Sequence, residues 1–271
     1  MRHHDGRGVS CRIWFLARSR AGTRRPQPSR IAARDLYADR STEHERDEDL
    51  LSSDHLPRGV RPATPADLDE MTRILTSAFL DDPVWGPSFP DRATRPQVAG
   101  AYWRFMVGEA LRFSESRVLD IARDDEDGPA EAGERGTLRA VSVWYPPGED
   151  EISAEAHPAY DALVGDLLDT EAAAALERAG AQFAEARPSE PHAYLTLLGV
   201  APEARGGGYG MGLLRAALAR YDEAGIPTYL ESSNPANDVR YERLGYRPHA
   251  VVELAGGARV QTYWRDPRAA S

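Results

Sequence analysis

One segment of this 271-residue chain constrains its fold more than any other, the run Arg205-Gly206-Gly207-Gly208-Tyr209-Gly210. An apolar run from Ala193 to Val200 precedes it and predicts a strand, and residues 211–224 follow it and predict a helix. Glycines leave backbone N–H groups open beside a helix N-terminus, and this arrangement attracts anions such as phosphate. Arg205 adds a positive charge. The segment therefore predicts a strand, an anion-binding loop and a helix, with a flexible turn as the alternative.

The composition excludes several other sites. The glycine spacing does not give the G-x-G-x-x-G of dinucleotide-binding proteins, and all 33 basic residues are arginine, so no lysine is present for a Walker loop, a Schiff base or a lysine general base. Cys11 is the only cysteine, which excludes intrachain disulfides and cysteine-ligated zinc. The sequence also lacks the G-x-S-x-G of serine hydrolases.

Apolar patterns predict a single mixed α/β domain over residues 58–271. Thr64 reads as the N-cap of its first helix, Pro65 as the first helical residue and Asp67 as the capping carboxylate. A second helix is predicted with Val98, Tyr102, Phe105 and Met106 on its apolar face. Two strands at 117–123 and 137–145 are joined by the acidic loop 124–134. Further helices are predicted at 154–168, 170–186 and 238–244, and further strands at 228–232, 249–254 and 259–264.

Residues 1–57 show no sustained apolar periodicity, and we expect a mobile extension there. The first 61 residues hold 13 Arg and nine Asp plus Glu, a net charge of +4, so with a total of −10 the remainder carries −14. A basic arm for nucleic acid or anionic lipid, or a start upstream of the true one, are the alternatives. The acidic remainder argues against nucleic-acid binding, and no apolar stretch is long enough for a membrane span, so a cytoplasmic protein is expected.

Two motifs resemble those of the GNAT superfamily of N-acetyltransferases. The run from Arg205 to Gly210 fits the family's R/Q-x-x-G-x-G/A, and Asn237 stands four residues before Tyr241 of the run Y-E-R-L-G-Y, which fits the family's second motif. The resemblance spans about residues 193–246. Within the superfamily, residues 187–191, 224–232 and 240–246 are similar to the puromycin N-acetyltransferase group of actinobacterial enzymes.

The resemblance implies a central mixed, mostly antiparallel sheet with a splayed strand pair, flanked by helices. It also implies acetyl-CoA as co-substrate and no metal, with the pantetheine arm along Leu198, Gly199 and Val200, the pyrophosphate on Arg205, Gly206, Gly207, Gly208, Tyr209 and Gly210, and Asn237 on the CoA arm. A splayed strand leaves N–H groups free, and that of Val200 can polarise a thioester carbonyl. We expect Gly199 to mark the distortion of this strand. For Asn237, an N-cap role is the alternative.

By the same resemblance, Tyr241 protonates the departing CoA sulfur, and a core aromatic is the alternative. Glu231 ends a strand beside the cleft, where it can take the proton of the amine directly or through water, or hold a cationic acceptor. Glu190 and His192 are weaker candidates for the base, because exposed charges near loops are usually solvated.

Aromatic residues are expected to stack on a planar or apolar amine, with core packing as the alternative. The candidates are Phe79, Trp85, Phe89, Trp144 and Tyr145. The acidic domain and Glu231 suit a cationic amine. The predicted function is direct acetyl transfer, in a ternary complex, to a small amine such as an aminonucleoside or another antibiotic, by a monomer or homodimer with no nucleic-acid or membrane partner. A peptide or protein amine, or a non-catalytic CoA-binding module, are the alternatives.

One further string, His157 to Asp161, has the H-x-x-x-D spacing that another acyltransferase fold uses for catalysis. Pro158 follows the histidine, no glycine follows the aspartate, and the string lies at a predicted helix start. A polar helical surface is therefore predicted instead.

Overall fold

The computed structural model describes residues 59–121, 137–254 and 257–268. The strands are β1 (Val60–Pro62), β2 (Arg117–Ile121), β3 (Thr137–Tyr145), β4 (Ala193–Val200), β5 (Thr228–Ser232), β6 (Arg247–Glu253) and β7 (Arg259–Arg265). The α-helices are α1 (Leu68–Phe79), α2 (Arg95–Ala110), α3 (His157–Leu167), α4 (Thr170–Ala186), α5 (Tyr209–Glu223) and α6 (Asp238–Arg243). The predicted extension 1–57 and acidic loop 124–134 lie outside the described residues.

The strands form one sheet in the order β1-β2-β3-β4-β5-β7-β6. Its neighbours are antiparallel except β4 and β5, which are parallel. That pairing joins Ala193–Leu195 only to Thr228–Leu230, while β4 runs on to Val200, so the two strands part after Leu195. The predicted sheet, mixed and mostly antiparallel with one splayed pair, is confirmed.

The distortion of β4 lies at Thr196, and its prediction at Gly199 is wrong. Pairing with β3 skips one residue, Thr196, which is therefore bulged, whereas Gly199 stands opposite Val141 in regular register. A Cβ atom on Gly199 would lie 3.0 Å from Cδ2 of Leu75. Glycine is needed there because α1 packs closely onto β4.

Helices cover both faces of the sheet. The first four helices pack on the side toward which Tyr194 and Tyr229 point, and we call this the α1–α4 face. The last two pack on the side of Leu195 and Leu230, the α5–α6 face. Neighbouring residues of a strand point to opposite faces, so this division fixes which side chains of β4 and β5 can meet. Among the described helices, none is both long and apolar enough for a bilayer crossing.

The predicted start of α1 agrees with the structure, whereas the buried face of α2 differs from the predicted one. The carboxylate of Asp67 accepts hydrogen bonds from the N–H and the Oγ1 of Thr64, each at 2.8 Å, ahead of α1 as predicted. In α2 the buried side chains include Trp103 and Val107, whereas Phe105 is only half-buried. The buried stripe of α2 is wider than predicted because this helix packs against α1 and the sheet together.

Residues 146–192 connect β3 to its antiparallel neighbour β4 by a long route. A two-residue turn suffices for such neighbours, yet α3 and α4 lie in between. Helix α4 contacts β6 and the loop between α1 and α2. The connection therefore covers the α1–α4 face near the place where β4 and β5 part.

A buried ion pair fastens the last strand to α5. Arg265 donates to both carboxylate oxygens of Asp222 at 2.7 and 2.6 Å, and the two side chains are 3% and 20% exposed. Asp222→Ala leaves this guanidinium buried without its counter-charge, so we expect the free energy of unfolding to fall by about 3 kcal/mol. Urea-induced unfolding measures it.

The matched control is Asp266→Ala, which removes the carboxylate paired with Arg247 at the surface. Both side chains of that pair are more than half exposed, so its loss should cost less than about 1 kcal/mol. Equal destabilisation by the two variants would show that burial does not set the strength of the Asp222 pair.

Candidate active site

The glycine-rich loop presents open backbone donors at the start of α5. Gly206 and Gly208 have φ angles of 80° and 71°, and Gly208 is the N-cap of this 15-residue helix. Within the described part of the chain, the N–H groups of Gly206, Gly208, Tyr209 and Gly210 donate to no protein acceptor. These donors and the positive end of the helix dipole together form a cradle suited to an anion.

Steric contacts explain the other two glycines of the loop. A Cβ atom on Gly210 would lie 2.9 Å from Cγ2 of Val200, so glycine allows α5 to begin directly against β4. A Cβ atom on Gly207 would lie 2.6 Å from the ring of Tyr209. The loop thus keeps its shape through packing as well as through backbone freedom.

Arg205 ties the loop to α1. Its Nη2 donates to the carbonyl oxygen of Ser77 at 3.0 Å and contacts the Oγ of the same residue at 3.3 Å. Ser77 lies in the last turn of α1, where carbonyl groups lack helical partners and favour a cation. The Arg205 side chain therefore helps to hold the loop against α1. Its contact with an anion remains a prediction from the sequence.

The β4 edge that faces the gap carries free N–H groups. The N–H of Ala201 donates to the carbonyl oxygen of Arg139 at 2.9 Å, and Val200 stands opposite Ala140. Hydrogen-bonded and non-hydrogen-bonded pairs alternate along antiparallel strands, so the N–H groups of Val200 and Leu198 point away from β3. They point toward the side that β5 has left, as the placement of an extended ligand requires.

Tyr241 lies on the α5–α6 face among other aromatic rings. Its ring centroid is 6.2 Å from that of Tyr246 and 6.0 Å from that of Tyr263, and the side chain is buried. Burial raises the pKa of Tyr241 well above its usual value, and Asp238 and Asp82 raise it further. The phenol is therefore neutral at physiological pH and has a proton to donate.

The structure excludes an N-cap role for Asn237. Its Oδ1 accepts a hydrogen bond from Nη1 of Arg240 at 3.0 Å and makes no capping bond. Asn234 caps this segment instead, because its Oδ1 accepts from the N–H of Ala236 at 3.0 Å. The Asn237 side chain thus stands at the start of α6 without the helix-capping bond that was its alternative explanation.

Glu231 lies on the α1–α4 face, opposite to Tyr241. Its carboxylate accepts hydrogen bonds from the hydroxyls of Tyr194 at 2.5 Å and Tyr229 at 3.3 Å. Burial raises the pKa of Glu231 to about 7, although Arg187 and the tyrosine hydroxyls oppose the shift. The side chain is only half-buried, so it retains access to a ligand or to water. Such a group changes protonation near neutral pH, as a general base should.

Three residues around Glu231 are absent from the sequence-based candidates. The Arg187 guanidinium lies 4.0 Å from the centroid of the Tyr194 ring, and its Nη2 donates to Oε1 of Glu151 at 2.7 Å. Strand periodicity can place Tyr194 on the same face as Glu231 once the pairing is known. Nothing in the sequence indicates Arg187 or Glu151, because both belong to the long connection between β3 and β4.

The loop after α1 is tied to the end of β5. Asp82 accepts a hydrogen bond at Oδ2 from the Oγ of Ser233 at 2.6 Å, and at Oδ1 from the N–H groups of Val84 and Trp85. Asp82 also lies close enough to Tyr241 to affect its pKa. This bridge positions Trp85 beside the splayed strands.

The predicted aromatic residues divide into two groups. Trp85 and Phe79 are half-buried, and Trp85 stacks on Phe183 of α4 with ring centroids 6.3 Å apart. Phe89 and Tyr145 are buried, so core packing accounts for them. Only the first group retains surface for a ligand.

Trp144 is removed from the acceptor candidates. Its side chain is 0% exposed and packs at 4.9 Å against Tyr221 on the α5–α6 face. The sequence pattern could not show which face of β3 this residue occupies, because β3 is apolar on both faces.

The histidine candidates have structural contacts. His157 Nδ1 lies 2.8 Å from the carbonyl oxygen of Ser153, and Asp161 is exposed on α3, in accord with the predicted polar helical surface. His192 is buried against Tyr229, with its Nδ1 2.6 Å from the carbonyl oxygen of Glu190. Burial lowers the pKa of His192, so this imidazole is neutral at physiological pH.

Residues 170–248 match the family model described as acetyltransferase (GNAT) domain. The matched range holds α4, β4, the glycine-rich loop, α5, β5 and α6, which are the elements that surround the splayed strands. Over this range the chain is similar to a GNAT acetyltransferase domain. This match and the fold support an N-acetyltransferase enzyme.

Solved structures of acetyltransferases share the fold of this chain. A protein from Corynebacterium glutamicum described as histone acetyltransferase HPA2 and related acetyltransferase superposes with a TM-score of 0.56 and 23% identity over 78% of this chain and 97% of its own. Two proteins of the mosquito Aedes aegypti give TM-scores of 0.52, a putative arylalkylamine N-acetyltransferase 7 (13% identity; 77% and 87% covered) and arylalkylamine N-acetyltransferase 2 (10%; 77% and 98%). At these identities the likeness establishes a common architecture.

Acetyl-CoA is the acetyl donor of the GNAT fold, and the described residues fit it. The open N–H groups at Gly206 and Gly208 suit the pyrophosphate, and the free β4 edge at Leu198 and Val200 suits an amide-bearing arm. No group of three or more His, Cys, Asp or Glu is placed to hold a metal ion in the ranges that the structure describes.

Proposed function

We propose that this GNAT enzyme transfers the acetyl group of acetyl-CoA to the amine of a small molecule. The observation that carries the proposal is the parting of β4 and β5. It opens a gap beside the glycine-rich loop at the start of α5, with Tyr241 on the α5–α6 face and Glu231 on the α1–α4 face. A donor and an acceptor that approach from opposite faces can react through this gap without a covalent enzyme intermediate.

The donor side is formed by backbone groups. The N–H groups of Gly206, Gly208, Tyr209 and Gly210 bind the pyrophosphate, and Asn237 binds the CoA arm. Acetyl-CoA supplies the acetyl group as an activated thioester. The N–H of Val200 donates to the thioester oxygen, which becomes negative as the amine attacks; such a donor contributes about 100-fold to 1,000-fold in rate.

Two side chains move protons. Glu231 in its ionised form takes a proton from the ammonium form of the acceptor, directly or through one water molecule, so that the amine lone pair is free. Tyr241 gives its proton to the sulfur as the thiolate leaves, the nitrogen of the new amide loses its remaining extra proton to water, and Tyr241 is reprotonated from solvent. Because their side chains lie on opposite faces of the sheet, each acts on its own side of the reacting carbonyl.

Closure of the acceptor side favours a small amine over a peptide. Helix α4 crosses the α1–α4 face, where Phe183 stacks on Trp85 and Gln182 donates to the carbonyl oxygen of Glu253 at 2.7 Å. These contacts join α4 to the loop after α1 and to β6, so α4 covers part of the face on which Glu231 lies and leaves less room there for an extended peptide. Trp85 and Phe79 offer aromatic surface to a planar amine, such as an aminonucleoside.

Two measurements test this function. Acetyl-CoA at a hundred times its dissociation constant should add about 2.7 kcal/mol of stability, visible as a rise of several degrees in Tm, while NADH and ATP should not. Release of CoA is then followed with puromycin, an arylalkylamine and a lysine-containing peptide. We expect turnover with small amines. Turnover with the peptide alone would show that the acceptor is a peptide amine and not a small molecule. The absence of a thermal shift with acetyl-CoA would contradict the transferase function.

Gly208 provides a test of the pyrophosphate cradle. Gly208→Ala forces a side chain into a φ of 71°, at a cost of about 1–2 kcal/mol, and places a methyl group in the loop. We expect the KM for acetyl-CoA to rise about tenfold, with a smaller effect on kcat, because the loss is of uniform binding.

The matched control is Gly225→Ala at the other end of the same helix. Its φ of 65° imposes a similar strain, and a Cβ atom there would meet nothing within 4 Å. The KM of this variant should equal that of the wild type. Equal increases in KM would attribute the Gly208 effect to strain in α5 and not to the cradle.

A further inference from the structure

Glu231 belongs to a chain of charged and phenolic groups that continues beyond its two tyrosines. The hydroxyl of Tyr194 reaches Glu231 at 2.5 Å, the Arg187 guanidinium lies 4.0 Å from the centre of the Tyr194 ring, and Glu151 binds Arg187 at 2.7 Å. The order is carboxylate, phenol, guanidinium, carboxylate. One cation thus stands between two carboxylates that belong to different parts of the chain.

Among the described residues Arg187 forms no ion pair with Glu231 within 4.0 Å, and its Nη2 is bound by Glu151 at 2.7 Å. Its Nε is buried and has no hydrogen-bond partner among the described residues. A buried donor without a partner is costly, and the hydrogen bond to Glu151 and the contact with the Tyr194 ring are the interactions that offset this cost for the guanidinium. The Tyr194 ring separates it from Glu231, and a cation acts through such a distance by its field.

We propose that Arg187 and Glu151 are positioning residues that set the charge of Glu231 through Tyr194. Arg187 favours the ionised carboxylate and orients the Tyr194 hydroxyl that binds it, while Glu151 holds Arg187 against the ring and opposes its charge. The proposal deepens the proposed function, because it rests on Glu231 as the base. The connection between β3 and β4 would then contribute to catalysis as well as to closure.

The other titratable groups near Glu231, Tyr194, Arg187 and Glu151 each have an identified partner or charge state among the described residues. From β5, Tyr229 donates to Glu231. Glu109 of α2, which binds Ser153 of the connection, acts with Arg112 on Tyr145 near Glu151. His192 lies near Arg187 and is neutral. Arg187 is therefore the cation whose removal should change Glu231 most, as its place among the causes of the Glu231 shift indicates.

Opposite shifts of the pH profile test the proposal. Arg187→Gln removes the cation, so the acidic limb of kcat/KM should move upward by about one pH unit, which at pH 6 is about a tenfold loss. Glu151→Gln removes a like charge but keeps the oxygen that accepts from Arg187 Nη2, so Arg187 stays in place and the limb should move downward. Arg187→Lys keeps the charge and should restore most of the wild-type limb. Limbs that stay in place, or that move in the same direction in both Gln variants, would overturn it.

A second readout does not depend on turnover. The protein is labelled with ¹³C at the glutamate carboxyl, and the resonance missing from Glu231→Gln is assigned to Glu231. Its titration midpoint should rise in Arg187→Gln and fall in Glu151→Gln, and equal midpoints would overturn the proposal even if both variants are active. If the wild type releases no CoA with any amine, the proposed function fails, while this titration still decides whether Arg187 sets the charge of Glu231.

Discussion

Tyr241→Phe is expected to lower kcat by about 100-fold to 1,000-fold and to leave the KM for acetyl-CoA nearly unchanged. The substitution removes only the hydroxyl, which we propose as the proton donor to the leaving thiolate. That proton is needed in the transition state and not for binding, so the loss should appear in kcat and kcat/KM alike. Steady-state kinetics of CoA release at saturating acetyl-CoA measures it.

Tyr246→Phe is the matched control for this loss. Tyr246 lies in the same aromatic cluster, and its buried hydroxyl lies near the side chain of Thr228. Its removal should leave kcat within about twofold and should cost at most about 1 kcal/mol of stability, the worth of one such hydrogen bond. A Tyr241→Phe enzyme with wild-type kcat would remove the acid role, and equal losses in both variants would indicate a general effect of the cluster.

Glu231→Gln is expected to lower kcat/KM by about 100-fold or more at pH 8 and to abolish the acidic limb of the profile. The wild-type limb should lie near pH 7, because burial raises the pKa of Glu231 to about 7 from its usual 4.5 and only the ionised form accepts a proton. An acceptor amine whose own pKa lies well above 8 stays protonated throughout this pH range, so the limb reports the enzyme and not the amine. A wild-type profile that is flat from pH 6 to pH 8 would argue against this base.

Ionisation of Glu231, which activity requires, should lower the stability of the folded protein. Its folded pKa is raised above the unfolded value of 4.5, so its contribution to stability is fully present below pH 4.5 and is lost as pH rises through about 7. At pH 8, Glu231→Gln should therefore melt no lower than the wild type, since it replaces a buried charge by a neutral amide. A much lower Tm at pH 8 would assign the kinetic loss to misfolding. Thermal unfolding of both proteins at pH 5 and pH 8 distinguishes loss of the base from misfolding of the variant.

The second half of the chain was predictable because its signals are local. Periodicity gave β4, β5 and the helices around them, and the glycines of the loop between β4 and α5 have the conformations and close contacts that their positions require. The second motif placed Tyr241 on the helix that follows the strand ending near Glu231. Local rules of this kind depend on a few adjacent residues, which is why they can be applied to a single sequence.

The wrong predictions concern strand register and the face of the sheet to which a side chain points. Thr196, and not Gly199, is the bulged residue of β4, because the bulge is defined by the register against β3. Trp144 was taken for a ligand-facing residue, but it packs on the α5–α6 face. A strand that is apolar on both faces gives no periodic signal, so its sequence alone does not tell which side chain reaches which layer.

The sequence by itself determined the order of elements, the glycine-rich loop between β4 and α5 and the motifs that resemble those of the GNAT superfamily, since each depends on residues close together in the chain. Only the tertiary structure decided that β4 and β5 part after Leu195, that Tyr241 and Glu231 stand on opposite faces of that gap, and that Arg187 and Glu151 come to Tyr194 from a distant connection. Contacts between residues far apart in the chain depend on strand register and helix packing, which are properties of the whole fold.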